Sequence, residues 1–229
     1  MKIYFKVLSI FILVFLVIEI SQNSYASEPS LLWSTLTAAQ QEALHAGKQI
    51  LVMDEVPNAI WPRFHIYGLV SAAPRDVEAV FWDVKDDVNY VPDCMKVTVD
   101  SCPAPNIVEA SYYLNVPFLP QEVSRVRTEV TLLPHGVYNN TWTVLSSKYS
   151  QSGSGSFLII PYKKGSLICY TNFVVPKSSI ACILRSQAES QLRATVKAIA
   201  ERVVYQLKET PQHHALQLQE LDAALKTAH

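Results

Sequence analysis

Apolar residues recur along this chain with two different periods, and the switches between them mark out its elements. The stretch Leu36 to Ala46, LTAAQQEALHA, predicts a short helix that Thr37 can cap and Gly47 can stop. A strand over Gln49–Val56 follows. RFHIYGLVS, from Arg63 to Ser71, is rich in aromatic and branched residues and predicts a second strand ending before Pro74. Val77, Val80, Phe81 and Val84 then fall at i, i+3, i+4 and i+7. A short amphipathic helix therefore begins at Pro74, with Asp76 and Glu78 near the positive end of its dipole. The piece Asp86 to Cys94 predicts a further helical turn broken by Pro92.

From Met95 the period is two. Strands are predicted over Met95–Ser101, Asn106–Val116, Glu122–Leu133, Val137–Ser147, Gly153–Tyr162 and Ser166–Val175. The breaks between them, CPAPN, PFLPQ, PHG, KYSQS and KKG, are too short for crossover connections, so the strands form an antiparallel meander. From Ser178 the helical period returns, with Ile180, Ile183, Leu184, Leu192, Val196, Ile199 and Val203 on one face. That predicts a helix of about 29 residues, roughly 43 Å long, capped by Ser178 or Ser179 and barred by Pro211. Residues 211–229 are expected to be a solvated or loosely docked tail, with Leu218, Leu221 and Leu225 able to form a last short helix. His213 and His214 are adjacent, so on a helix they point about 100° apart and do not suit a shared metal.

Strands followed by one long helix make an α+β fold, in which a curved antiparallel sheet of about seven strands wraps the C-terminal helix. Two packings stand open: a solid interior, or a concave space walled by alternate strand residues. Val108, Ala110, Tyr112 and Leu114 form the better inner set on one strand, and on the next the charge-free set Ser124, Val126, Thr128, Val130 is favoured. Ligand-lining candidates are Val108, Ala110, Tyr112, Leu114, Trp142, Ile183, Leu184 and Leu192, with Tyr112, Arg125, Arg127, Thr128 and Tyr170 as polar points. For Trp82 and Trp142 a core position is expected ahead of a ligand platform.

Composition narrows the class. Of 229 residues 49% are hydrophobic, enough for a buried core, and the net charge of -1 comes without any Lys/Arg block, so nucleic acid is excluded as a partner. Lys2 and Lys6, the apolar run Val7 to Ile20 and the small-residue pattern Ser24-Tyr25-Ala26 have the order of a secretory signal peptide, with cleavage after Ala26. A retained membrane anchor is the alternative. The expected destination is secretion, into a periplasm if the source is bacterial; Asn139-Asn140-Thr141 is a glycosylation sequon only if the chain passes an endoplasmic reticulum. Outside the cytosol, Cys94, Cys102, Cys169 and Cys182 permit two disulfides in any of three pairings. Cys94 with Cys102 is the first expectation, and Cys169 as a plain buried hydrophobe the alternative for that residue.

The order strand, helix, helical turn, six strands, long helix, carried by IYGLVSAAPRDVEAVFWDVKDDVNYVPDC and SGSGSFLIIPYKKGSLICYTNFVVP, resembles the START-like superfamily. Matching features are the Ala72-Ala73-Pro74 step before Val77, Phe81 and Trp82, the Pro117 to Pro120 turn followed by Arg125, and the Gly165 to Tyr170 phrase. The resemblance covers residues 63–210. It sets residues 27–62 apart as an N-terminal extension and 211–229 as a tail, and implies the helix-grip fold with an apolar cavity for lipid-like or aromatic molecules.

No G-x-S-x-G elbow, H-E-x-x-H helix or phosphate-binding glycine loop occurs, so chemistry has few sequence candidates. His65 and Tyr67 share a strand face and are the candidate acid/base pair, against the alternative of two polar side chains with their tips at the sheet edge or in contact with water. Asp86, Asp87, Asp54 and Glu55 are expected to be solvated turn charges. Three functions remain: a binding protein for a lipid or other hydrophobic small molecule with transient membrane contact, a cyclase- or hydrolase-type enzyme in the same cavity, or a noncatalytic interaction module using the sheet or the tail. No cofactor or metal is expected, and oligomeric state is left open.

Overall fold

The computed structural model describes residues 29–116, 119–178, 181 and 184–226. The expected signal segment, Cys182 and the candidate wall residue Ile183 lie outside them. The chain divides into two compact units, Met1–Leu36 and Thr37–His229. The first contains helix α1 (Pro29–Ser34). All that follows concerns the second.

Helix α2 (Ala38–His45) starts as its sequence dictates: Thr37 and Gln40 close a reciprocal capping box. Gly47 follows at φ 77°, a left-handed turn that glycine adopts without strain. The strands are β1 (Ile50–Asp54), β2 (Arg63–Val70), β3 (Cys94–Ala104), β4 (Ile107–Leu114), β5 (Glu122–Leu133), β6 (Val137–Ser147), β7 (Ser150–Tyr162) and β8 (Gly165–Pro176). They form one eight-stranded sheet in the order β1-β2-β8-β7-β6-β5-β4-β3. Every pairing is antiparallel. The sheet has eight strands rather than about seven because β1, read as part of an extension, pairs along β2 from Ile50↔Tyr67 to Asp54↔Arg63.

Consecutive strands β2 and β3 lie far apart in the sheet, so the chain between them must cross one face. It does so as helix α3 (Pro74–Trp82), with Pro74 at the first turn, and the 3-10 turn Asp86–Asn89. Helix α4 (Arg185–Glu209) is 25 residues, about 38 Å, and ends before Pro211. It starts later than the apolar period suggests, without the Ser178 or Ser179 cap. The Ala181 carbonyl accepts from Trp61 Nε1 at 2.9 Å and the Ala181 N–H bonds Ser178 O at 3.1 Å, a local turn tied to a distant ring.

The tail, expected to be solvated or loosely docked and able to form a last short helix, is a 16-residue helix, α5 (Pro211–Lys226), which buries His214, Gln217, Leu221 and Ala224. Polar pairs fix it to α3: Arg75 with Asp222 at 2.6 Å and His214 Nε2 with Asp76 at 3.0 Å. Val77, Ala79 and Val80 of α3, Val196, Ile199 and Val203 of α4 and Leu221 of α5 meet Ile66, Val108, Ala110, Val130, Phe157, Ile159 and Ile168 of the sheet in one core. These strand residues define the inner face.

The expected disulfide between Cys94 and Cys102 does not form: both are free, as is Cys169. Both belong to β3 rather than flanking a shorter strand, and eight residues of extended chain separate them by roughly 26 Å, far beyond the ~6 Å that a disulfide spans. Cys169 is buried, and burial pushes its thiol up to about 11.

Candidate functional site

Cross-strand partners place the inner wall row by row. One row runs Val130, Asn140, Phe157, Tyr170, Ile66, and the next runs Val108, Thr128, Trp142, Gly155, Asn172. Around Val130, Asn140 and Phe157, each fully buried, α3 closes the wall. In the second row and beyond, Val108, Thr128 and Ala110 stay buried, but Trp142, Val126, Val144, Tyr112 and Leu114 are only half-buried. The helix above changes in step. Val196, Ile199, Val203 and Gln206 in the C-terminal part of α4 are buried, whereas no described residue from Leu184 to Thr195 is.

Of the expected lining residues, Val108, Ala110, Tyr112, Leu114, Thr128, Trp142 and Tyr170 share this inner face, and Leu192 packs on the core from α4. Leu184 stands at the start of α4, half-buried. Arg125 and Arg127 do not belong with them. The alternation of β5 turns both to the opposite face, where Arg125 bonds Glu109 at 2.6 Å and Asp100 at 3.3 Å. The outer register leaves both guanidinium groups partly in water and gives Arg125 the carboxylates of Glu109 and Asp100, sparing the cost of burying a charge.

His65 and Tyr67 also face away from the interior. Ile66 and Val70 take the inner positions of β2, and Tyr67 pairs with Cys169 and His65 with Thr171 on the outer side, which α2 covers. There His65 Nε2 contacts Asp54 at 3.0 Å and Nδ1 contacts Thr171 Oγ1 at 3.1 Å. Burial, with Cys169 beside it, pushes the Tyr67 phenol up. These two residues form no acid/base pair in the interior. Asp54 and Glu55 are exposed, as expected of turn charges.

Asp86 and Asp87, expected in solvent, are both buried. Asp87 receives the Tyr90 hydroxyl at 2.6 Å and the Tyr112 hydroxyl at 3.0 Å. Burial pushes its carboxyl up to about 7, and the charges of Asp83 and Asp86 add to this against the two phenol bonds. Asp86 differs. Burial alone would raise it, but Arg202 binds it through two nitrogens at 2.8 and 2.6 Å, Asn89 and Gln206 add bonds, and the carboxyl is held below its usual range. Beside them burial pushes the Cys94 thiol up to about 11.

Three tyrosines stand around Asp87. Burial drives the phenols of Tyr90 and Tyr112 well above their ordinary range and Tyr170 up to about 12. Each nevertheless keeps accessible surface. Phe81, Phe157 and Tyr170 continue the aromatic lining, with ring centroids 4.6 and 6.0 Å apart.

Glu78 is a residue whose role the sequence concealed. It sits in α3 with no exposed surface, and Asn140 Nδ2 donates to its Oε1 at 2.8 Å. Burial pushes its carboxyl up to about 8, partly offset by that bond. The signal available was Asn140 itself, a polar residue in phase with Tyr138 and Trp142 that required a partner. Trp142 lies flat on Gly155, where any Cβ would strike its ring.

No family model matches the sequence, and no curated protein matches it either. Solved structures do. A STAR-related lipid transfer protein fragment from Xanthomonas axonopodis superposes with TM-score 0.59 at 13% identity, over 68% of this chain and 98% of the other. The fold is START-like. Other START-like structures include an aromatase/cyclase from Streptomyces sp. R1128, with TM-score 0.55, 14% identity and coverage of 64% and 96%. The lipid transfer and protein localization domain of human StarD13 gives 0.54, 14%, and coverage of 77% and 98%. The START-like arrangement accounts for the chain path: the long helix α4 lies along a curved, unclosed antiparallel sheet.

Proposed function

We propose that the protein binds a hydrophobic small molecule or lipid between the inner sheet wall and the N-terminal half of α4. The observation that carries this is the state of Tyr90, Tyr112 and Tyr170, desolvated enough to shift their phenols strongly yet each retaining accessible surface. Side chains that are deep and accessible together border an internal space, whereas a solid core leaves deep groups no surface. The half-burial of Trp142, Val126, Val144, Tyr112 and Leu114, under a helix half in which no described residue is fully buried, supports the same place. Lipid transfer and aromatase/cyclase are named for proteins of this fold. Removing about 14 methylenes from water would supply up to about 11 kcal/mol before ordering costs, enough to hold a fatty chain.

Solvent extraction of protein purified from its native source, followed by mass spectrometry, tests this: a stoichiometric apolar compound is expected. Ligand-free protein that also takes up no apolar probe overturns it. Export directed by residues 1–26 belongs to the proposal, and N-terminal sequencing of the mature chain checks it. A second reading, acid–base chemistry on such a ligand, is favoured by Asp87, whose carboxyl is pushed up to about 7 between two phenols.

A further inference from the structure

The interior is acidic, and beyond the Arg202–Asp86 pair no ion pair to Asp87 is present among the described residues. Asp87 is neutralised by nothing stronger than the hydroxyls of Tyr90 and Tyr112. Arg202 binds Asp86 through two of its nitrogens. Arg125 and Arg127, the arginines of the neighbouring strand, face the other side of the sheet. No described lysine or arginine projects from the inner face of β4 to β8.

The second observation is independent of Asp87 and points the same way. Glu78 and Asn140 have no exposed surface at all, and Glu78 Oε2 and Asn140 Oδ1 have no hydrogen-bond partner among the described residues. Trp142 Nε1 is likewise buried without a partner among the described residues. A buried oxygen without a donor costs about 1–3 kcal/mol. Among the described residues two buried oxygens and one buried N–H thus stand unmet.

We infer that the interior selects a hydrophobic ligand ending in an amine, seated as its ammonium against Asp87, and discriminates against ligands ending in carboxylate or phosphate. The inference rests on the ligand-binding reading above and deepens it. An ammonium brings three N–H donors and the positive charge that Asp87 lacks. A carboxylate or phosphate brings only further acceptors and a negative charge beside Asp83, Asp86 and Asp87, where a low-dielectric surrounding magnifies repulsion. An alcohol brings one donor and no charge, and falls between. The phenols of Tyr90, Tyr112 and Tyr170 and the Cys94 thiol also face Asp87, and all four are pushed toward their neutral forms, so none alters the charge an ammonium meets near neutral pH.

The test uses the full mature chain, stripped of lipid, titrated calorimetrically at pH 8 with decylamine, decanol and decanoate below their micelle concentrations. Decylamine is expected to bind at least ten-fold more tightly than decanol, and decanoate at least ten-fold more weakly than decanol. In Asp87→Asn the amine should lose its ten-fold advantage over the alcohol. Equal binding of all three, or an amine preference that survives in D87N, overturns the charge selection and leaves the hydrophobic site standing. Binding of none of the three overturns the ligand-binding reading and this inference with it. The order among the three ligands in the wild-type chain decides the charge preference even if D87N does not fold.

Discussion

Arg202 of α4 grips Asp86 of the 3-10 turn through Nε at 2.8 Å and a terminal nitrogen at 2.6 Å. The bond joins residues 116 positions apart and pins the buried half of α4 next to the acids of the interior. Only 4% of the Asp86 side chain and 18% of the Arg202 side chain remain exposed, so this is an interior pair rather than a surface one.

Removing one partner of such a pair strands the other as an unpaired buried charge. Arg202→Leu is expected to destabilise the fold by about 3 kcal/mol, measured by urea unfolding at pH 7. The pH dependence has a definite sign. The folded carboxyl of Asp86 is depressed, so its contribution is present above the unfolded value and disappears as pH falls through the folded one. In R202L that acid-side loss should shrink.

Glu78 and Asp87 act in the opposite sense. Their folded values are raised, to about 8 and about 7, so the folded chain retains protons that the unfolded chain releases from about pH 4 upward. Stability should therefore decline as pH rises from about 4 towards 7 for Asp87 and 8 for Glu78, by up to about 1.4 kcal/mol per pH unit for each. Glu78→Gln keeps an acceptor for Asn140 and removes one ionisation. The difference in unfolding free energy between E78Q and wild type should move in favour of E78Q between pH 5 and 8, and identical profiles would refute the assignment.

Gly155 is required by close approach. A methyl there meets the Thr171 carbonyl oxygen and the Trp142 ring together. Gly155→Ala is expected to destabilise by about 2–3 kcal/mol, seen as a lower thermal midpoint. Trp142→Ala in the same background should recover only part of the loss, since the backbone carbonyl cannot yield.

Helix α5 is structural. Leu221 is fully buried against α3 and α4, so Leu221→Ala should cost about 3 kcal/mol in urea unfolding. A chain ending at Thr210 should lose more, because it also strips Asp76 and Arg75 of their partners. Unchanged stability of that truncation would contradict the docking seen here.

Much of the architecture was written locally. Pro and Gly between runs of period two predicted β3 to β8 closely, and the alternation on β4 assigned Val108 and Ala110 to the interior correctly. Sidedness failed on β2 because that strand is covered on both faces, by the core on one and by α2 on the other. Neither Tyr67 nor Ile66 then carries a polar label that marks the outside. For β5 the charge-free register was the right guide, and Arg125 and Arg127 as lining residues contradicted it. Pairing Cys94 with Cys102 takes the two to flank one short strand, whereas both lie within the longer β3.

The kind of each element, its breaks and the antiparallel class of the sheet follow from spacing within a dozen residues, since turn geometry and periodic burial act at that range. The fate of the acids does not. Glu78 is buried because Asn140 stands 62 residues further along the chain, and Asp86 is ionised in the interior because Arg202 reaches it from another helix. A carboxyl's charge state depends on what displaces its water and which donors replace it, and only the assembled fold brings those groups together.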